Sequence, residues 1–211
     1  MKLMVVSEST KLYAYNYKYN ELLVIKEPPT KDILKNKDKY DECIAIGGGS
    51  VIDTAKIICK NKVEAYPTTF SGASRTSHSV LWTKEGKISI KTKKPKTMYD
   101  TRIQSTILDE LPEDIKTYSK IDCLCHIMES LISPNSTKIS NKYARKALDE
   151  IKKDKWLSAS FLAGDAIEIT GTNVLHGLSY PLTYKYGIPH GKALAIILHD
   201  ALEIPKVKEL L

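Results

Sequence analysis

The chain has 211 residues, 42% hydrophobic and 27% charged, an ordinary balance that excludes a disordered or collagen-like polymer and allows one large domain or two small ones. Its formal net charge of +7 is carried almost wholly by lysine and suits an anionic ligand, while the mostly tyrosine aromatics form no RNA-binding pattern, so no nucleic-acid partner is expected. No apolar run approaches the roughly 18 residues of a membrane span, and the N-terminal apolar stretch is too short for a secretory core; a cytoplasmic protein without membrane contact is expected.

In chain order, LMVVS (3–7) and ELLVIKE (21–27) read as strands. ECIAIGGG (42–49) reads as a third strand meeting a glycine turn, and VIDTAKIICK (51–60) as a helix leaving that turn. VEAYPTTF (63–70) reads as a fourth strand and SVLWTKEGKISIKT (79–92) as a hairpin around Glu85-Gly86. Strands interleaved with helical patterns give an α/β domain with a parallel sheet covered on both faces. The character changes near Leu111-Pro112. Pro112, Glu113 and Asp114 suit a helix N-terminus, and Ile115, Ile121, Leu124, Ile127, Met128 and Leu131 recur at helical spacing. After Ser133-Pro134-Asn135, helices are expected over about 137–153 and 155–170. The expected architecture is therefore α/β plus all-α, with an α/β domain over 1–108 and a helical domain over 109–211.

The four cysteines make no disulfide framework: Cys43 and Cys59 sit in apolar runs as buried thiols, and Cys123 and Cys125, two apart on a helix, point to different faces. The single glutamine, Gln104, beside abundant lysine and glutamate is a composition that thermophile proteins tend to show. The lysines at 87, 91, 93, 94 and 96 read as the solvated face of a hairpin, and His78 and His199 as surface or packing histidines.

Two constellations carry chemistry. Ile44 to Lys56 runs from an apolar strand through Gly47, Gly48 and Gly49 into a helix opened by Ser50, either a tight strand–helix turn or a cradle where backbone N–H groups meet a phosphate. The spacing is not GxGxxG. Asp122 and His126, four apart on one helix, share a face, and His176 and His190 follow 50 and 64 residues after His126. One carboxylate and three imidazoles suit Zn²⁺ or Fe²⁺, while an isolated pair at this spacing also reads as a surface pair. Glu129, three beyond His126, reads either as support for a ligand or as a surface acid.

GGGSVIDTAK, YPTTFSGAS, MYD (98–100), IDCLCHIMES and HGLSYPLTYKYGIPHG occur in the order found in the iron-containing (group III) alcohol dehydrogenases, relatives of dehydroquinate synthase, and the resemblance covers about residues 41–203. LSYPLT with YGIPHG is most similar to the phosphonoacetaldehyde reductase branch. The resemblance implies metal ligands at Asp122, His126, His176 and His190. It also implies a pyrophosphate site at Gly47, Gly48, Gly49 and Ser50 within the motif that includes Asp53, and contact with NAD or NADP near its nicotinamide from Thr68, Thr69 and Ser71.

The implied activity is hydride transfer between the nicotinamide and a small aldehyde or alcohol polarised by Fe²⁺ or Zn²⁺. The alternative is a reduced, non-catalytic relative that binds metal or dinucleotide without turnover. Tyr180 stands where many members have a second histidine, which makes it the candidate proton donor. Ala73-Ser74-Arg75 replaces a common Gly-Ser-Glu, a charge reversal that suits an anionic substrate or a solvated surface. With 21 residues after His190, the helical domain is expected to be a shortened one, its cleft completed by a homo-oligomer.

Overall fold

A computed structural model describes residues 1–203, and these fall into two compact units. The first comprises Met1–Thr69, Ala73–Thr83 and Lys87–Leu111. Its centre is a parallel sheet of β1 (Lys2–Ser7), β2 (Glu21–Ile25), β3 (Tyr40–Gly47), β4 (Cys59–Pro67) and β7 (Lys96–Thr97), in the order β2-β1-β3-β4-β7. The central strands alternate between two cores. Leu3, Val5, Cys43 and Ala45 pack with α1 (Gly49–Ile58), and Met4, Val6, Ile44 and Ile46 face Tyr66 and Ile107, the latter from α2 (Thr101–Asp109). Because both faces are covered, β1 and β3 read as continuous apolar runs. β5 (His78–Thr83) and β6 (Gly86–Lys91) form a separate two-stranded sheet, and Leu81 joins the α1 side of the core.

The helix expected over 51–60 has the expected length but lies two residues earlier, over Gly49–Ile58. Cys59 is already extended (φ −95°, ψ 127°) and pairs with Tyr40, so the chain enters β4 without a connecting loop. β7, α2 and the two 3-10 segments Glu8–Asn16 and Lys31–Asn36 have no counterpart in the expected elements. Gln104, on α2, is fully buried; its Nε2 donates to the Pro67 carbonyl at 2.7 Å and its Oε1 accepts the Asp100 N–H at 2.8 Å. This buried amide is thus satisfied at both ends.

The second unit comprises Phe70–Gly72, Lys84–Gly86 and the chain from Pro112 onward. It is built of α3 (Glu113–Ile132), α4 (Lys138–Ile151), α5 (Trp156–Thr170), α6 (Val174–Tyr186) and α7 (His190–Ala201). α3 begins behind Pro112 with two acids in its first turn and stops at the extended Ser133, the residue before Pro134. α4 opens with a capping box in which Thr137 accepts the Ser140 N–H and the Ser140 hydroxyl receives the Thr137 N–H. Small residues set the packing of α3, α4 and α5: Ala144, Ala147, Ala159, Ala163 and Ala166 are fully buried with Cys123 and Ile127. A second cluster joins Cys125 and Met128 of α3 to Leu175 and to Leu194, Leu198 and Ala201 of α7. Among the described residues no helix is long and apolar enough to cross a membrane.

Candidate metal centre

α3 is the frame of the site. Asp122, His126 and Glu129 occupy positions i, i+4 and i+7, so one buried stripe of the helix carries all three. His176 enters from the first turn of α6, which starts after Gly171, a residue in the left-handed region (φ 70°). His190 opens α7 behind Pro189. The glycine after it decides how close α7 can come: a Cβ on Gly191 would stand 2.6 Å from the Tyr118 Cβ and 2.8 Å from the Tyr118 carbonyl oxygen. Glycine there lets the α7 backbone rest on α3 one turn before Asp122.

The resulting geometry is tight. Asp122 Oδ1 lies 3.4 Å from His126 Nε2 and 3.2 Å from His176 Nε2, and the His126 and His176 rings stack with centroids 4.6 Å apart. One donor atom from each of these three buried residues lies within 4.8 Å of the others. His190 stands just outside this group, half-buried, with its ring 5.3 Å from that of His176.

Glu129 fixes how His176 meets the group. Its carboxylate is fully buried; Oε2 lies 2.7 Å from His176 Nδ1 and Oε1 accepts the His176 backbone N–H at 3.0 Å. A carboxylate only accepts, so Nδ1 carries a proton, and Nε2 faces Asp122 with a lone pair when the ring is neutral and with an N–H when it is protonated. In the neutral ring two acceptors face each other at 3.2 Å, an arrangement that a proton or a cation between them relieves.

The electrostatics agree. Burial alone would push the Asp122 carboxyl up, but the surrounding imidazoles of His126, His176 and His190 outweigh it and hold the group below the usual carboxylate range. Burial pushes His176 down, and the Asp122 and Glu129 carboxylates overcome it to hold the imidazole above its ordinary value. One carboxylate with imidazole nitrogens is a donor set that fits Zn²⁺ or Fe²⁺. Cys123 and Cys125 take no part: both are fully buried in different clusters, and burial pushes their thiols well up.

Comparison with known proteins follows the same outline. Residues 116–208 match the model for the C-terminal domain of the Fe-containing alcohol dehydrogenase family. An iron-containing alcohol dehydrogenase from Thermotoga maritima superposes with a TM-score of 0.78 at 26% identity, over 93% of this chain and 69% of that one. Residues 116–208 thus resemble the C-terminal domain of the iron-containing alcohol dehydrogenases, and the chain shares the fold of a solved member. Among curated relatives, the 4-hydroxybutyrate dehydrogenase of Clostridium kluyveri is 29% identical over 78% of this chain and 56% of its own length. The phosphonoacetaldehyde reductase of Streptomyces viridochromogenes is 27% identical over 76% and 52%. The chain thus spans about half the length of the curated relatives it matches.

The other residues singled out from the sequence divide. Tyr180 lies one turn beyond His176; its ring stacks on His190 at 6.0 Å and its hydroxyl meets Thr172 Oγ1 at 3.2 Å. In the first unit, Gly47 ends β3, Gly48 caps α1, and Gly49 and Ser50 form its half-buried first turn. The first intrahelical bond is Ile52 N–H to Gly48 O, so the earlier N–H groups have no partner within the helix. Thr68 N–H donates to the Gly47 carbonyl, and a Cβ on Gly48 would stand 3.1 Å from Thr69 Cγ2. A Cβ on Gly47 would stand 2.6 Å from Val51 Cγ2, so glycine keeps this turn tight, and the N–H groups at the start of the helix are the feature that fits a pyrophosphate.

Asp53 turns inward instead: its Oδ2 accepts the Val80 N–H at 3.0 Å and its Oδ1 pairs with Lys56 Nζ at 2.8 Å. Ser71 belongs to the second unit, in a segment seated on α5 by Gly72 (φ 75°), whose Cβ would lie 2.7 Å from the Ser160 carbonyl. Sequence reasoning left Glu129 undecided, and it read Gly72 only as part of the Ser71-Gly72 turn and Gly191 only as part of the PHG motif, without the close helix contacts that each allows.

Proposed function

We propose that the chain is a metal-dependent, NAD(P)-linked alcohol dehydrogenase or aldehyde reductase acting on a small aldehyde that carries an anionic group. The observation that carries the reading is the convergence of Asp122 Oδ1, His126 Nε2 and His176 Nε2 in one buried site, the two ring nitrogens 3.4 and 3.2 Å from the carboxylate oxygen. A divalent metal bound there supplies Lewis-acid polarisation of a carbonyl oxygen, and a bound nicotinamide supplies or accepts the hydride. The chain's own groups do the rest. Asp122, His126 and His176 present the donors, with His190 as the fourth, and Glu129 keeps the His176 proton on Nδ1 so that Nε2 is free to ligate. The turn at Gly47, Gly48, Gly49 and Ser50 receives the pyrophosphate, with Thr68, Thr69 and Ser71 along the cofactor. Tyr180, one turn from His176, gives its phenolic proton to the nascent alkoxide or takes it back in the reverse direction.

The curated relatives favour an anionic substrate: one is named for a hydroxycarboxylate and another for a phosphonate aldehyde. Arg75 and the lysine excess supply the matching charge. The reading includes a homo-oligomer in the cytoplasm.

The test is anaerobic loading with Fe²⁺ or Zn²⁺, elemental analysis, and a screen of carboxylate- and phosphonate-bearing aldehydes with NADH and NADPH. About one metal per chain, lost in Asp122→Ala and His176→Ala, with dinucleotide oxidised mole for mole with aldehyde, is the expected result. Metal and dinucleotide held without turnover of any aldehyde would replace it with a binding-only role.

A further inference from the structure

The Asp53–Lys56 pair of the GGGSVIDTAK motif is left over by this reading, and its surroundings are specific. The Lys56 side chain is fully buried. Its ammonium faces five oxygens: the carbonyls of Ala73 (3.2 Å), Thr76 (3.4 Å) and His78 (2.5 Å), the Thr76 hydroxyl (3.4 Å), and Asp53 Oδ1 (2.8 Å). An ammonium has three donors and no acceptor, so only converging oxygens make such burial tolerable. Residues 73–78 supply four of the five, and only Ala73–Arg75 there form a short 3-10 turn. The segment is clasped from other sides as well. Thr97 Oγ1 donates to the Ser74 carbonyl, Thr92 N–H to the Ser77 carbonyl, and Val80 N–H to Asp53.

We infer that Lys56 is a positioning residue for the dinucleotide site: its ammonium fills a cage of oxygens as a monovalent cation would, pinning residues 73–80 to α1 four to seven residues beyond the last glycine of the turn. The inference rests on the dehydrogenase reading for its ligand and on the cage alone for its mechanics. Asp53 belongs to the brace. Its charge balances the ammonium, and its second oxygen fixes the start of β5. Since β4 ends at Pro67 beside the turn, with Thr68 bonded to Gly47, loosening 73–80 frees the chain that follows Thr69 and widens the turn.

The test compares the wild type with Lys56→Ala and Asp53→Asn by hydrogen exchange and by NADH and NADPH titration, with and without ethylammonium. In Lys56→Ala, amides of residues 73–80 should lose protection while β1 and β3 keep theirs, and dinucleotide affinity should fall about tenfold or more. Ethylammonium, which can occupy the vacated cage, should restore both; a purely structural defect would not respond to it. Asp53→Asn keeps an acceptor for Val80 N–H and should show the same pattern more weakly, which covers the case that Lys56→Ala does not fold. Unchanged protection at 73–80 would overturn the brace, and lost protection with unchanged affinity would overturn its positioning role. A wild-type chain that binds neither dinucleotide, yet shows the exchange pattern and its rescue, would overturn the cofactor reading and leave the brace standing.

Discussion

Glu129 holds His176 at two points, its ring nitrogen Nδ1 at 2.7 Å and its backbone N–H at 3.0 Å, so one buried carboxylate sets both the tautomer of the imidazole and the place where α6 begins. Glutamine at 129 has one carbonyl for two donors and would turn its amide N–H₂ toward one of them. Metal affinity in Glu129→Gln should fall about tenfold and in Glu129→Ala toward a hundredfold, measured by Zn²⁺ competition with a chelator. An affinity within twofold of wild type would remove Glu129 from the site.

The same charges make the chelated chain sensitive to pH in two directions. Asp122 and Glu129 lie below their ordinary carboxyl values, so their stabilisation is present above those values and is lost as acid titrates them. His176 lies above its ordinary value of 6.5, so its contribution is whole below that pH and is lost as the pH rises through the raised value. Stability in urea with EDTA should therefore peak between pH 4.5 and 6.5 and decline on both sides. Metal-loaded chain should gain stability with rising pH instead, since ligand imidazoles must be neutral.

Gly191→Ala would place a methyl against the backbone of Tyr118, which cannot move without moving α3. A destabilisation of about 1–3 kcal/mol is expected, with a loss of metal affinity as His190 is carried away with α7. Denaturant titration and metal analysis on the same sample would show both; a stable variant with full affinity would mean that α7 does not need this approach.

Gly48→Ala is gentler. Its methyl would press on the Thr69 side chain at 3.1 Å, and the loss at the helix cap is about 1 kcal/mol or less. The fold should survive while NADH and NADPH affinity drops at least severalfold, read by fluorescence of the bound nicotinamide. Unchanged affinity would take the pyrophosphate away from this turn.

Tyr180→Phe removes one half-buried hydroxyl whose recorded bond is 3.2 Å to Thr172. Stability should hardly change. If the phenol is the proton donor, kcat should fall by about 10²–10⁴-fold with little change in dinucleotide affinity. A kcat within a factor of three of wild type would move the proton path elsewhere.

How much of this could be read from the chain depended on whether the cause was local. β1 and β3 were legible because burial on both faces makes them continuous apolar runs, and α3 because its apolar residues repeat at helical spacing. That Asp122 and His126 share a face follows from four-residue spacing alone. β7, two residues long, has no period to detect, and α2 carries too few apolar residues to announce itself. Asp53 was placed with the glycine turn by its motif, but the group that its carboxylate accepts, Val80 N–H, lies 27 residues away. Glu129 was left between support and surface because nothing near it in sequence says that His176, 47 residues on, will arrive.

That separation bears on how the protein is made. Asp122 and His176 are 54 residues apart, and the His190 ring arrives later still. During synthesis α4 and α5 leave the ribosome while the carboxylate of α3 still waits for His176 and His190. A metal ion supplied early would find only Asp122 and His126. Firm capture therefore marks the moment when α6 and α7 have docked, and a chain stalled before that point would be distinguishable by its empty site.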